Sequence, residues 1–166
     1  MTSDRDQPKP SLVPADVLAE LPLADSSILV VDDNEQNLEL LHAYLEELGV
    51  PIRTALNGAE ALASVEEFPP DIVLLDIMMP IMSGFQVCAK IKANPATRDI
   101  PVIMVTALNE VGDVERAVES GADDFLTKPV NKLELLTRVR SLMRVRQLRR
   151  ELDRTLDEMR RLRGEG

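Results

Sequence analysis

Short apolar runs alternate with stretches of helical periodicity along this chain from Ile28 onward. The apolar runs are ILVV, PIRTA, DIVLL, PVIMVTA and DFLTKPV, and each precedes a stretch in which apolar residues recur every three or four positions. Near-continuous apolar character, as in ILVV, IVLL and VIMV, is typical of strands buried on both faces. Because parallel strands need crossover connections and helices supply them, the pattern predicts five strand-helix pairs, with a parallel sheet between two layers of helices.

Helix caps and stops fall between the predicted elements. Asn57 and Asn131 each stand three residues before a Glu at the start of a helical stretch, which is the pattern of an N-cap. Gly49 and Gly121 follow helical stretches and predict their C-terminal ends. These local signals agree with the periodicity.

Two segments flank the predicted domain, which we place at residues 27–142. Residues 1–26 contain four prolines among small and charged side chains, so we expect a flexible N-terminal extension. Residues 143–166 predict a helical C-terminal extension, and the a and d positions of a heptad repeat there are Val145, Leu148, Leu152, Thr155, Met159 and Leu162. We expect a coiled coil or a helix that docks in a groove, too short to form a stable dimer unaided.

Composition excludes several classes of protein. A chain of 166 residues with a 45% hydrophobic share suits one packed domain. One cysteine and one histidine provide neither a disulfide framework nor a zinc site. No segment resembles a signal peptide or reaches the length of a membrane span. We therefore expect a cytoplasmic protein with no membrane association.

The net charge of −10 is unevenly distributed. Residues 1–137 carry nine Lys or Arg against 24 Asp or Glu, whereas residues 138–166 carry ten Arg against five acids. Phosphate contacts need clustered Lys and Arg, so the acidic body argues against a core that binds nucleic acid. In the tail the arginines alternate with leucines and acids, a pattern that suits a partner helix better than a DNA groove.

Reactive side chains stand at the ends of four predicted strands. ILVV ends on Asp32 and Asp33, IVLL on Asp76, VIMV on Thr106, and DFLT on Lys128. Because ligands bind at the carboxyl ends of the strands in open α/β sheets, we expect these side chains to meet. Three close carboxylates repel one another and favour a bound cation, and a small set of oxygen ligands suits Mg²⁺. One carboxylate, for which Asp76 is the candidate, would then attack phosphorus and form an acyl phosphate.

Four motifs in this order resemble the receiver domain of bacterial two-component response regulators. They are the pair Asp32-Asp33, LLDIMMPIMSG around Asp76, VTA at Thr106 and LTKP at Lys128. The resemblance runs from about Ser27 to about Leu142. It implies a flavodoxin-like (βα)5 fold, that is, a doubly wound five-stranded parallel sheet, here with an extended C-terminal helix.

The resemblance also implies roles for individual residues. Asp76 would accept a phosphoryl group from a histidine kinase or phosphotransfer protein. Asp33 would bind Mg²⁺ directly and Asp32 through water, and Asp76 and the backbone carbonyl of Met78 would complete the metal site. The chain would thus be a phosphoacceptor that slowly dephosphorylates itself, and not an enzyme acting on a separate substrate.

Four further positions follow from the same resemblance. Thr106 and Lys128 would bind the phosphoryl oxygens, and the bond from Lys128 to Pro129 would be cis. Phe125 occupies the position of the switch aromatic, although simple core packing is an alternative for it. Movement of Thr106 and Phe125 would couple Asp76 to the face formed by the fourth helix, the fifth strand and the fifth helix.

Several alternatives remain open for the output. The extended helix and the coupled face could mediate homodimerisation or bind a partner protein. The chain could also be a receiver fragment of a larger regulator or hybrid kinase, with the helix as a linker to an effector domain, or the basic helix could contact nucleic acid. A hydrolase with an aspartate nucleophile would need an acid two residues after Asp76, and that residue is Met78.

Overall fold

Strands and helices alternate strictly in the structure, a computed structural model that describes residues 26–107 and 111–164. The strands are β1 (Ile28–Val31), β2 (Ile52–Ala55), β3 (Ile72–Asp76), β4 (Val102–Thr106) and β5 (Asp124–Thr127). The helices are α1 (Glu35–Leu45), α2 (Gly58–Glu67), α3 (Gly84–Ala93), α4 (Val111–Glu119) and α5 (Lys132–Leu162). A 3₁₀ turn, Glu46–Leu48, follows α1. Residues 1–25 of the predicted N-terminal extension lie outside the described residues.

The five strands form one parallel sheet in the order β2-β1-β3-β4-β5. This confirms the predicted doubly wound, five-stranded parallel sheet. The chain moves outward from β1 to β2 on one side and then crosses to β3 on the other side. The carboxyl ends of β1 and β3 are therefore neighbours at the point where the strand order reverses, the usual place for a ligand in such sheets.

Helices cover both faces of the sheet, and alternate residues of each strand serve the two layers. On one face, Ile28 and Ile72 pack with the apolar residues of α1 and α5. On the other face, Leu29 and Val73 pack with those of α2, α3 and α4. Burial on both sides explains why the strands are nearly continuous apolar runs in the sequence.

Polar side chains fix the starts of the helices. The side chains of Asn57 and Asn131 accept hydrogen bonds from backbone N–H groups three residues on, at 2.8 and 3.0 Å, which confirms both predicted N-caps. Asn34 caps α1, and Ser83 forms a reciprocal capping box with Gln86 at α3. These two caps were not predicted, although Ser-x-x-Gln is a recognisable signal.

The last helix, α5, is much longer than the others. Its 31 residues extend over about 46 Å. The first half packs on the sheet through Leu135, Leu136, Val139 and Met143, whereas every residue from Glu151 to Gly164 is exposed. The helix runs without a break past residue 142, where we placed the end of the domain.

Within the described ranges, no helix combines the length and the apolar character that crossing a bilayer demands.

Candidate functional site

Four strands deliver reactive side chains to one edge of the sheet. Asp76 and Thr106 are the last residues of β3 and β4, and Asp32 and Lys128 directly follow β1 and β5. The register pairs Asp76 with Val105, so that the ends of neighbouring strands lie level. The structure therefore brings together the acids and the lysine that the sequence placed at strand ends.

Three carboxylates form the centre of this edge. Asp32, Asp33 and Asp76 each offer an oxygen atom, and these oxygens all lie within 4.8 Å of one another. The side chains differ in environment, because Asp32 and Asp76 are only 1% and 5% exposed whereas Asp33 faces solvent. Oxygen donors in this arrangement, open to water on one side, fit a hard divalent cation such as Mg²⁺.

Lys128 partly compensates the negative charge. Its Nζ donates to Asp32 Oδ2 at 3.1 Å and to Asp76 Oδ1 at 3.5 Å. The backbone also holds the residue in place, since the N–H of Lys128 donates to the carbonyl oxygen of Thr106 at 2.7 Å. The peptide bond from Lys128 to Pro129 is cis. The ammonium group is thus directed at the two buried carboxylates.

Burial and repulsion leave Asp76 as the unusual acid of the cluster. Desolvation, together with the charge of Asp32, raises the pKa of Asp76 to about 6, and contacts with Lys128 only partly offset the increase. Burial lowers the pKa of Lys128, but its hydrogen bond to Asp32 and the charge of Asp76 outweigh this effect, so the net change is upward. Lys128 therefore stays charged at neutral pH, and ionised Asp76 is held at a cost in free energy.

The loop between Asp76 and α3 brings the start of the helix so close to the end of β3 that Gly84 cannot be replaced by a larger residue. Gly84 begins α3, and its N–H donates to the Ile77 carbonyl oxygen at 2.9 Å. A Cβ atom on Gly84 would overlap the backbone oxygen of Asp76 and lie 2.8 Å from the Cα atom of Ile77. Only glycine allows α3 to approach the strand end so closely. The spacing from Asp76 to the glycine of the MSG motif therefore has a steric reason.

Met78 lies beside the carboxylate cluster through its backbone. A hydrogen bond between its backbone and the Asp76 carboxylate lowers the pKa of Asp76, against the larger effect of burial. The side chain is 63% exposed and points away from the core. The predicted role of its carbonyl oxygen as a Mg²⁺ ligand stays a prediction.

Thr106 and Phe125, the predicted switch pair, occupy adjacent strands. Thr106 is 1% exposed at the end of β4, and Phe125 is half-buried, packed against the core on the side of α2, α3 and α4. The register places Phe125 opposite Met104, two residues before Thr106 on the same strand. The position of Phe125 is compatible both with simple core packing and with the switch role, which stays a prediction.

Two contacts of structural importance were not predicted from the sequence. Asp32 Oδ1 accepts the N–H of Asn34 at 2.9 Å, which fixes the turn from β1 into α1 and orients the acid. Asn34 follows the two acids directly, so its N-cap position was a signal that could have been used. Asp71 contacts α5 at the amino-terminal ends of the strands, opposite the acid cluster, and no local sequence pattern indicates that contact.

Comparison with known proteins identifies the family. The family model for the response regulator receiver domain matches residues 28–140. The chain therefore belongs to the family of response regulator receiver domains, as the resemblance of its four motifs implies.

Individual relatives support the assignment. The chain is 51% identical over 125 residues to the response regulator PleD of Caulobacter vibrioides, and the match covers 75% of this chain but 28% of PleD. It is 40% identical over 117 residues to the DNA-binding dual master transcriptional regulator RpaA of Synechocystis, covering 70% of this chain and 48% of RpaA. Both relatives thus continue well beyond the matched region.

A solved structure shows the same fold. The signal receiver domain of a signal transduction histidine kinase from Syntrophus aciditrophicus superposes with a TM-score of 0.67 at 39% identity. The superposition covers 71% of this chain and 89% of that one. The receiver fold is thus shared with a structure that is little more than the domain itself.

The raised pKa of Asp76 predicts how stability depends on pH. One pKa unit corresponds to about 1.4 kcal/mol, so ionised Asp76 destabilises the metal-free fold by about 3 kcal/mol at neutral pH. The folded state binds the proton more tightly than the unfolded chain. Protonation of Asp76 therefore raises the free energy of unfolding of the metal-free protein as the pH falls from above about 6 to below about 4.

Asp76→Asn should remove the penalty. In metal-free buffer at neutral pH, urea unfolding should show the variant to be more stable than the wild type by about 2 to 3 kcal/mol. The difference should vanish below about pH 4, where both side chains are neutral. Glu66→Gln, an exposed acid of α2, should change little and serves as the control. A destabilised Asp76→Asn variant at neutral pH would contradict the assigned electrostatics.

Proposed function

We propose that this chain is a phosphorylation-dependent signalling regulator in which Asp76 accepts a phosphoryl group from a histidine kinase or phosphotransfer protein. One observation carries the proposal. The buried carboxylate of Asp76 lies at the strand end between two further acids and the ammonium group of Lys128. An acid with a pKa of about 6 is ionised at neutral pH and can act as a nucleophile.

The transfer step follows from this geometry. The donor is the phosphorylated histidine of the kinase or phosphotransfer protein. A carboxylate oxygen of Asp76 forms a bond to phosphorus while the bond between phosphorus and the histidine nitrogen breaks, and that nitrogen keeps the electron pair. The product is an acyl phosphate on Asp76. Lys128, already 3.5 Å from Asp76 Oδ1, can move its contact from the carboxylate to a phosphoryl oxygen. The hydroxyl of Thr106 would contact a second phosphoryl oxygen from β4.

A divalent cation is the proposed cofactor of this site. Asp32, Asp33 and Asp76 would hold Mg²⁺, together with the backbone carbonyl of Met78. When bound, the ion neutralises charge between the acids and an incoming phosphoryl group. The cluster supports this assignment because three carboxylates meet with one lysine beside them, which leaves net negative charge where phosphate must approach.

The switch would run through Thr106 and Phe125. Contact of the Thr106 hydroxyl with the phosphoryl group would draw it toward Asp76 and open space beside β4 for the Phe125 ring. The α4-β5-α5 face would then change its surface. The phosphoryl group would make better contacts in one of two existing conformations, so phosphorylation would shift the population toward that conformation.

The C-terminal helix is the proposed output element. Its exposed half carries a row of apolar residues, namely Val145, Leu148, Leu152, Leu156, Met159 and Leu162. A row of this kind suits packing against a second helix. We propose that α5 and the α4-β5-α5 face together mediate homodimerisation or bind a partner protein. PleD and RpaA extend beyond the receiver region, so a role for α5 as a linker to an effector domain is the second candidate.

Phosphorylation can be tested by mass spectrometry. Acetyl phosphate with Mg²⁺ should add the mass of one phosphoryl group to the wild-type protein and none to Asp76→Asn. Chelation of Mg²⁺ should prevent the gain, and Glu66→Gln should behave as the wild type because it lies on α2, remote from the strand ends. Equal phosphorylation of Asp76→Asn would show that the phosphoacceptor is another residue.

Association through α5 can be tested by light scattering. Beryllofluoride with Mg²⁺, which mimics the phosphorylated state, should shift the wild type toward dimer. The double variant Leu152→Gln and Leu156→Gln should remain monomeric, because both side chains belong to the exposed apolar row.

The matched control replaces exposed arginines on another side of the same helix. Arg154→Gln with Arg161→Gln removes charge but leaves the apolar row intact, and should still dimerise. A monomer in both states for the wild type would refute homodimerisation and favour a partner protein or the linker role.

A further inference from the structure

A buried acid at the edge of the sheet opposite the phosphorylation site holds two arginines of the last helix. Asp71 directly precedes β3 and is only 4% exposed. Its Oδ1 accepts a hydrogen bond from Arg146 Nε at 3.2 Å and forms an ion pair with Arg150 Nη1 at 2.8 Å. Both arginines lie beyond Met143, the last buried apolar residue of α5. The contact therefore continues the attachment of α5 where apolar packing has ended.

The same acid also ties the starts of three strands together. Its Oδ2 accepts the N–H of Ser27, just before β1, at 2.7 Å, and its own N–H donates to the Ser27 carbonyl oxygen at 2.9 Å. Arg146 reaches further, to the carbonyl oxygen of Asp99 ahead of β4, at 3.1 Å. Asp71 thus joins α5 to the rigid part of the molecule, since β1, β3 and β4 are neighbours within the sheet.

The spacing of these residues fixes how α5 is rotated. Val139, Met143, Arg146 and Arg150 recur every three or four positions, so they share one face of the helix, the face that contacts the domain. At 3.6 residues per turn, the apolar row from Leu148 through Met159 lies roughly half a turn away. A helix held by its arginines therefore presents this row outward, away from its own domain.

We propose that Asp71 is a positioning residue for the output helix. Its bonds to Arg146 and Arg150 set the direction and rotation of α5 as it leaves the domain, so that sheet and helix form one rigid unit. Without Asp71, α5 is held only by its contacts up to Met143, and the intact helix as a whole tilts and rotates on them. This assignment does not depend on phosphorylation of Asp76, and it deepens the proposed output by stating what orients the apolar row.

A buried ion pair is well suited to this task. Without Asp71 the mostly buried Arg146, whose side chain is 13% exposed, would keep its charge without compensation and cannot simply stay in place, whereas Arg150, at 45% exposed, would lose its partner and turn to solvent. Two guanidinium groups on one carboxylate also restrict rotation of the helix more than a single pair would. By contrast, the pair of Arg138 with Glu134 lies within α5 itself, on the surface, and it is the second contact of Arg138, to Asp124 of β5, that reaches a strand.

Distance measurements between two spin labels can test the positioning role. One label replaces Glu39, exposed in the middle of α1, and the other replaces Asp157, exposed on the free half of α5. Cys88, the single native cysteine, is buried and can remain. Labelled chains are mixed with an excess of unlabelled protein, so that electron double resonance reports distances within one chain.

In the parent protein we expect a narrow distance distribution. Asp71→Asn, which keeps the shape of the side chain but removes its charge, should broaden the distribution by about twofold or more, since the helix then samples several directions. The double variant Arg146→Gln and Arg150→Gln should do the same from the helix side. Glu134→Gln, which loses only an exposed pair on the same helix, should leave the distribution unchanged.

Circular dichroism on the same samples separates positioning from general destabilisation. The helix content of the variants should match that of the parent, because α5 stays helical while its direction varies. If Asp71→Asn does not fold, the arginine double variant provides the test alone. A distribution of unchanged width in folded variants would overturn the proposal, whether or not Asp76 proves to be the phosphoacceptor.

Discussion

The burial of Asp76 beside a second buried carboxylate, Asp32, at one edge of the sheet is the constraint on which the rest of the site depends. Parallel pairing of β1 and β3 forces Asp32 and Asp76 to end at the same place, and burial prevents water from screening them. Lys128 donates hydrogen bonds to Asp32 and Asp76, yet the pKa of Asp76 remains raised. Ionising Asp76 in the folded protein therefore costs free energy. A bound cation, or conversion of the carboxylate to an acyl phosphate, would relieve that cost.

The acid cluster and the contact that holds α5 lie at opposite ends of the strands. At the carboxyl ends of the strands lie the acids and Lys128, and at the amino ends Asp71 holds α5. β3 connects the two, because Asp71 precedes it and Asp76 ends it. A strand paired on both sides resists distortion, so the reactive acid and the helix anchor belong to one rigid frame. Movement on phosphorylation would then be confined to the side chains and the α4-β5-α5 face.

The meeting of the acids and Lys128 at one edge of the sheet could be predicted because these residues end or directly follow apolar runs. Parallel strands end at a common edge, so Asp32, Asp76 and Lys128 could be brought together from their positions alone. Element order and the caps at Asn57 and Asn131 were likewise local signals. The order of the strands was not predicted, because the residues of the strands do not specify it, and it is seen only in the structure.

The rest depends on tertiary geometry that no local pattern contains. Asp71 and Arg146 are 75 positions apart, and their contact requires both the length of α5 and its rotation on the sheet. The environment of Asp76 similarly arises from burial by neighbouring strands and from the close approach of α3 at Gly84. Charged residues at strand starts and in amphipathic helices are common, so neither partner of the anchor stands out in the sequence.

The central claim is that the carboxylate cluster is a Mg²⁺ site whose electrostatic cost the ion relieves. The most direct measurement is the free energy of unfolding as a function of Mg²⁺ concentration, for the wild type and for Asp33→Asn. Asp33 is exposed, so its replacement should leave the metal-free fold intact. The account predicts that Mg²⁺ stabilises the wild type progressively and has little effect on Asp33→Asn. Equal stabilisation of both proteins, or none of the wild type, would contradict it.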